Sequence, residues 1–171
     1  MYSFDGLLTA TLFVPLAGAI VIVALLKQDR LIRYWAAAIG VIDLALAIMV
    51  FVRFDPDGAA QFQLIDKFIW IKSTVFTSNY HLGVDGLSTP LVLLTGLLGL
   101  CAILASWKIQ TRVREYFAWL LILQTAVMGV FVSLDFLLFF VFWELELVPM
   151  YFLISIWGTG RRQYSAMKFF I

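Results

Sequence analysis

At residues 142–149 the sequence reads FWELELVP, in the middle of an apolar segment that extends from residue 136 to residue 157. This segment is apolar except for two glutamates, one proline and one serine. A helix needs about 20 apolar residues to cross the hydrocarbon core of a bilayer, so the segment predicts a transmembrane helix. An acidic side chain at the bilayer centre costs about 3 kcal/mol on insertion scales. Two acids in one span therefore indicate an ion or proton path.

The composition of the whole chain is that of an integral membrane protein. Hydrophobic residues make up 63% and charged residues 13%, whereas a soluble domain carries about a quarter charged residues. The apolar runs are continuous rather than alternating, which favours helices over a membrane β-barrel. The predicted fold class is all-α, a polytopic bundle of transmembrane helices. A net charge of +1 argues against a nucleic-acid partner.

Five spans and the start of a sixth are predicted, all in one membrane domain over residues 1–171. The spans are expected at residues 7–26, 34–52, 87–107, 116–133 and 136–157, with the sixth from about residue 165.

A long connection, residues 53–86, separates spans two and three. It contains turn residues and two runs of β-forming residues, at 68–71 and 73–77. These runs predict a small hairpin outside the membrane. Between spans four and five the only clear turn is short, so these spans should be antiparallel neighbours, and Asp135 is expected to cap the start of span five.

The distribution of basic residues predicts the orientation of the chain. The turns after spans one, three and five carry nine Lys and Arg residues (Lys27, Arg30, Arg33, Lys108, Arg112, Arg114, Arg161, Arg162 and Lys168), and the long connection carries Arg53, Lys67 and Lys72. By the positive-inside rule the basic turns are cytoplasmic and the N-terminus lies outside. Because no Lys or Arg precedes the first apolar run, the N-terminus does not have the order of a cleaved signal peptide.

No metal or cofactor site is predicted on this chain. One His and one Cys cannot build a zinc or haem site of the usual kinds, and no glycine-rich nucleotide loop occurs. Cys101 lies in an apolar span. His81 is expected to be a solvated or capping residue in the outer loop.

Glu144 is the main candidate functional residue. It is the ninth residue of its span and therefore lies about 13 Å into the membrane. At helical spacing it shares a face with Tyr151 and Ser155, which predicts a polar path toward the cytoplasmic end. Glu146, two residues on, points to a nearly opposite and apolar face, and we leave open whether its role is functional or structural.

Pro149 is expected to break the hydrogen bonding of span five. It cannot donate to the carbonyl of Leu145, between the two acids, which is then free to bind water or a neighbouring helix. Burial favours the protonated form of a carboxyl group and a nearby cation favours the ionised form. A Lys or Arg partner in another helix would therefore let Glu144 load and release a proton, but none of the five spans contains one. Asp43, in span two, is expected to form a helix–helix hydrogen bond or to end a local polar path.

Four stretches resemble one known family. They are FWELELVPM at 142–150, IWG at 156–158, KFF at 168–170 and HLGVDGLS at 81–88. Together they resemble chain 4 (subunit M, or its photosynthetic D-type counterpart) of the proton-pumping NADH-quinone oxidoreductase, respiratory complex I. The resemblance runs along the whole chain.

The resemblance implies an antiporter-like fold with two inverted repeats of five helices, of which this sequence is similar to the N-terminal third. It implies that Glu144 is the channel acid, paired with a lysine two helices further on, beyond Ile171. It also implies that NAD(P)H, flavin, iron–sulfur clusters and quinone are bound by other subunits. The implied partners are other membrane subunits, the lipid bilayer and protons. The expected location is the bacterial plasma membrane, with the thylakoid membrane as the alternative.

Two other functions stay open on the sequence. The first is a subunit of a multi-subunit sodium/proton antiporter or a membrane-bound hydrogenase, which share the fold and the glutamate. The second is a scaffold fragment that only packs helices and in which Glu144 is a buried hydrogen-bonding group.

Overall fold

The computed structural model describes residues 5–58, 60–72 and 77–170. Its elements in chain order are α1 (Leu7–Ala24), α2 (Asp29–Arg53), β1 (Gln63–Lys72), β2 (Thr77–Val84), α3 (Ser88–Ala105), α4 (Val113–Val132), α5 (Phe136–Trp157) and α6 (Arg162–Phe170). Helices α1 to α5 are each long and apolar enough to cross a membrane. The prediction of a polytopic helical membrane protein is confirmed.

The helix bounds differ from the predicted spans mainly where charged residues begin a helix. Helix α2 starts at Asp29 rather than residue 34, and α6 starts at Arg162 rather than residue 165. A span predicted from hydropathy ends at the first charged residue. The helix itself can continue past that residue, because long basic side chains reach from a helix into the membrane interface. Arg33, in the first turns of α2, is held by the turn after α3, since its Nη2 donates to the carbonyl of Ile109, 2.8 Å away.

Helix α4 is the central helix of the bundle. Ten of its 20 residues are buried, against three of the 22 in α5, and it packs against α1, α3 and α5. Glycine makes the approach to α5 close, because a Cβ at Gly129 would overlap the ring of Phe142. Small residues serve the same purpose in other membrane bundles. The predicted antiparallel pairing of spans four and five is therefore confirmed.

The predicted hairpin is present, but its second strand lies later in the chain than expected. The strands are antiparallel, with Phe68 opposite Tyr80 and their rings stacked at 4.5 Å. Residues 73–76 of the predicted second strand lie outside the described residues. The strand instead runs to Val84, so the expectation of an outer loop around His81 is wrong. The missed signal was a period of two, because Tyr80, Leu82 and Val84 are all buried.

Two aspartates attach the hairpin to the helices. Asp66 of β1 is fully buried and accepts hydrogen bonds from the backbone N–H groups of Gly6 and Thr9 at the start of α1. Asp135 accepts from the N–H groups of Leu137 and Leu138, so its predicted role as the N-cap of α5 is confirmed.

Asp135 also holds the second strand. It accepts hydrogen bonds from the hydroxyl of Ser78 and the N–H of Asn79. The hairpin is thus fixed to the ends of α1 and α5 that lie on one side of the bundle, opposite the basic turns.

Candidate functional site

Glu144 lies on the exposed face of α5. It is exposed, as are Phe140 and Val148 four residues before and after it. At 1.5 Å per residue it lies about 12 Å from the first residue of α5, near the middle of the span. Within the described part of the chain, Glu144 has no hydrogen-bond or ion-pair partner.

The opposite face of α5 explains this orientation. Leu138, Phe142 and Pro149 are its buried residues, and they recur at the spacing of one helical face. Phe142 packs against Gly129 of α4. Because Glu144 lies two residues after Phe142, it must point away from α4.

The polar residues expected beside Glu144 are only partly exposed. Tyr151 and Ser155 are half-buried. The hydroxyl of Ser155 donates to the carbonyl of Phe152, 3.2 Å away, and the ring of Tyr151 meets that of Phe152 edge-on at 5.5 Å. Helical spacing places all three polar residues on one side of α5, and a proton path along them stays a prediction.

Helix α5 continues through Pro149, which is buried, so the expected break is not an interruption of the helix. Glu146 is half-buried and lacks a hydrogen-bond or ion-pair partner among the described residues. The two acids are therefore in different environments, as the spacing predicted.

A polar contact joins α2 and α4 in the interior. Asp43 is fully buried, and its Oδ2 accepts a hydrogen bond from Nε2 of Gln124, 2.5 Å away. The helix–helix hydrogen bond expected for Asp43 is therefore present. Sequence reasoning missed Gln124, although an amide inside an apolar span was a signal for such a contact.

His81 and the basic residues do not supply a cation in the middle of the described helices. Burial, and then the charge of Lys67, lower the pKa of His81 below its usual value, while Asp135 raises it. These effects favour the neutral form of His81, and the residue lies in strand β2 of the hairpin. The Lys and Arg residues of the described helices lie at helix ends.

Comparison with protein families gives two matches that together cover most of the chain. Residues 10–131 match the family described as NADH-ubiquinone oxidoreductase chain 4, amino terminus. Residues 133–171 match the transmembrane family described as NADH:quinone oxidoreductase/Mrp antiporter.

Curated relatives agree with these matches. The chain is 42% identical over 165 residues to NAD(P)H-quinone oxidoreductase chain 4 2 of Thermosynechococcus vestitus, which covers 96% of this chain and 31% of the relative. It is 43% identical over 164 residues to NAD(P)H-quinone oxidoreductase chain 4 1 of Synechococcus sp. strain JA-2-3B'a(2-13), covering 96% of this chain and 30% of the relative. The chain thus spans about a third of the length of these relatives.

A solved structure shares the fold. It is that of the membrane-bound sulfane sulfur reductase, an archaeal respiratory membrane complex, with a TM-score of 0.73, 18% identity, and coverage of 96% of this chain and 24% of that one. The first family match spans more than half of the chain. The chain is therefore an integral, multi-pass membrane protein that belongs to the NADH-ubiquinone oxidoreductase chain 4 family, whose amino-terminal region it matches.

Proposed function

We propose that this chain is part of a proton-translocating membrane subunit of an NADH-quinone oxidoreductase, and that Glu144 is the group in it that binds the proton. Electron transfer from NADH to quinone would take place in other subunits, which would bind the NAD(P)H, flavin, iron–sulfur clusters and quinone. This chain would take part in the proton translocation that is coupled to that electron transfer.

The observation that carries the proposal is the position of Glu144. A carboxyl group near the middle of a membrane helix is costly in contact with lipid, yet Glu144 is exposed on α5 between apolar neighbours. A second membrane element must therefore cover this face in the assembled protein. An acid between two membrane elements can exchange its proton with a hydrated path, whereas an acid facing lipid cannot.

The covering element should carry the cation that Glu144 lacks. The curated relatives are about three times as long as this chain, so such proteins contain further sequence that could provide it. The family resemblance implies a lysine two helices further on. Approach of an ammonium group would favour release of the proton from Glu144, and its withdrawal would favour uptake.

The same proposal includes an orientation and a location. The basic turns would face the cytoplasm and the hairpin would lie outside, because positively charged loops stay on the cytoplasmic side. The bacterial plasma membrane is the proposed location, and the thylakoid membrane is the alternative.

The test is the substitution Glu144→Gln in the complete, reconstituted complex. Glutamine keeps the size and hydrogen-bonding capacity of the side chain but cannot exchange a proton at neutral pH. We expect both proton uptake per NADH oxidised and the coupled oxidoreductase rate to fall to a small fraction of the wild-type values. Full coupled rates in an assembled complex would overturn the proposal.

Glu146→Gln is the matched control. It makes the same chemical change two residues away, on the other side of α5. A smaller loss than in Glu144→Gln is expected, and equal losses would mean that the effect is not specific to the exposed face.

A second candidate function is a subunit of a sodium/proton antiporter or of a membrane-bound hydrogenase. The match of residues 133–171 to a family that includes Mrp antiporters supports it, as does the fold shared with an archaeal respiratory complex. NADH-dependent quinone reduction by the purified native complex would exclude this candidate.

A scaffold role would instead be supported by normal assembly and activity of the variant Glu144→Leu.

A further inference from the structure

Asp43 and Gln124 form a buried polar pair that the proposed function does not use. Asp43 is the fifteenth residue of the 25 in α2 and Gln124 the twelfth of the 20 in α4, so both lie near the middle of their spans. The exposed fractions of their surfaces are 0% and 5%. Asp43 is thus fully enclosed at membrane depth, and Gln124 is buried with it.

Each of the two side chains has one oxygen without a partner. Gln124 Nε2 donates to Asp43 Oδ2, while Asp43 Oδ1 and Gln124 Oε1 are both buried and accept no hydrogen bond from the described residues. Both atoms are acceptors. A buried acceptor without a donor is costly. The two unpaired oxygens are therefore short of a hydrogen-bond donor.

Two threonine hydroxyl groups near Gln124 already donate hydrogen bonds to backbone carbonyls. Thr95 lines a groove of about 250 Å³ between α3 and α4 together with Gln124, but its hydroxyl donates to the carbonyl of Leu91, 2.8 Å away. The hydroxyl of Thr125 donates to the carbonyl of Leu121. The rest of that groove is lined by apolar residues and one glycine.

The helices packed against α2 provide no cation for an ionised Asp43. Helices α1 and α3 contain no charged residue. In α4 the charged residues lie at its start, and Glu115 is nine residues, or about 13 Å, from Gln124. Within α2, Arg33 and Arg53 are each ten residues, or about 15 Å, from Asp43. An isolated carboxylate in such a site would be a buried charge without compensation.

We propose that Asp43 binds a proton and forms a two-bond acid–amide pair with Gln124. The carboxyl O–H at Oδ1 donates to Gln124 Oε1, and Gln124 Nε2 donates to Oδ2. The single proton makes Oδ1 a donor and gives Oε1 the donor that it lacks. It also removes the negative charge of Asp43. This is a second bound proton, on α2 and α4 rather than α5, and it does not depend on the proposed role of Glu144.

Infrared spectroscopy of the complete subunit in lipid bilayers tests the proposal. A protonated carboxyl has a C=O stretching band that a carboxylate lacks. We expect the spectrum at pH 7 to lose one such band in Asp43→Asn. Loss of carboxylate bands instead, with the C=O region unchanged, would show that Asp43 is ionised and would overturn the proposal.

The variant Gln124→Leu tests the partner. It removes the N–H donated to Oδ2, so the C=O band lost in Asp43→Asn should move to higher frequency in Gln124→Leu. An unmoved band would show that Gln124 does not bond the protonated acid.

Thermal stability gives a readout that does not require the assignment of a band. In Asp43→Asn a neutral amide faces Gln124 and can form the same two hydrogen bonds, so its melting temperature should stay close to that of the wild type. In Asp43→Leu the amide of Gln124 loses its partner, and the melting temperature should fall. If Asp43→Asn and Asp43→Leu were equally destabilised, the neutral pair would be excluded.

Discussion

Asp66 and Gly6 are 60 residues apart in the sequence, yet Asp66 Oδ1 accepts a hydrogen bond of 2.7 Å from the backbone N–H of Gly6. Gly6 has φ +76° and no capping side chain of its own. The other carboxylate oxygen, Oδ2, accepts from the N–H and the hydroxyl of Thr9, at 3.0 and 2.7 Å. A residue of the hairpin therefore caps the first transmembrane helix, which is how a strand outside the membrane contributes to the stability of the bundle.

We expect Asp66→Ala to destabilise the protein by about 2 kcal/mol or more, because it removes a helix cap and leaves N–H groups without acceptors. Chemical unfolding in detergent micelles would measure the change. Asp57→Ala is a suitable control, since Asp57 is exposed. Equal stability of the two variants would contradict the capping role.

Asp135 gives the hairpin contact a dependence on pH. Burial raises the pKa of this carboxyl, but the hydrogen bonds from Asn79, Ser78, Leu138 and Leu137 together lower it below the ordinary value of 3.8. The folded form therefore gains stability from Asp135 above pH 3.8, and that gain is lost as the pH falls through the lower pKa of the folded state.

Hydrogen exchange at the backbone N–H of Asn79 would report this loss. Protection of Asn79 should decrease as the sample is acidified below about pH 3.8. In Asp135→Asn the protection should be lower at neutral pH and should change less with acid. A wild-type profile that is flat down to pH 2 would exclude Asp135 as the titrating group.

The contact of Gly129 with Phe142 sets the separation of α4 and α5. A Cβ added at Gly129 would overlap the ring of Phe142, so Gly129→Ala should cost about 1–3 kcal/mol through overpacking. At Gly86 the corresponding atom would meet only Phe54, at 4.0 Å, so Gly86→Ala is the control and should be tolerated. In the double variant Gly129→Ala/Phe142→Leu, the smaller leucine side chain leaves room for the added methyl group. The double variant should therefore lose less stability than the sum of the two single variants, and an additive loss would contradict direct contact.

Cysteine labelling tests the proposed orientation. In a Cys101→Ser background, Asp57→Cys places a thiol before the hairpin and Lys108→Cys places one after α3, both at exposed positions. A thiol reagent that cannot cross membranes should label Asp57→Cys in intact cells. It should label Lys108→Cys only after the membrane is permeabilised. The reverse pattern would mean that the hairpin faces the cytoplasm.

The sequence alone was enough to find the five membrane helices, because the number of membrane spans depends on local hydropathy. The bounds of α5 were predicted to the residue, since Asp135 and Gly158 end the apolar run on both sides. Spacing also placed Glu144 and Glu146 on different faces, because the period of a helix is fixed.

Tertiary structure decided what those faces contact. Two of these findings are contacts between residues distant in sequence: Asp66 caps α1, and Gln124 faces Asp43. The third is the exposure of Glu144, which depends on which face of α5 packs against α4. No pattern within a single segment contains such information, because it depends on which helices are neighbours and how closely glycines such as Gly129 let them approach.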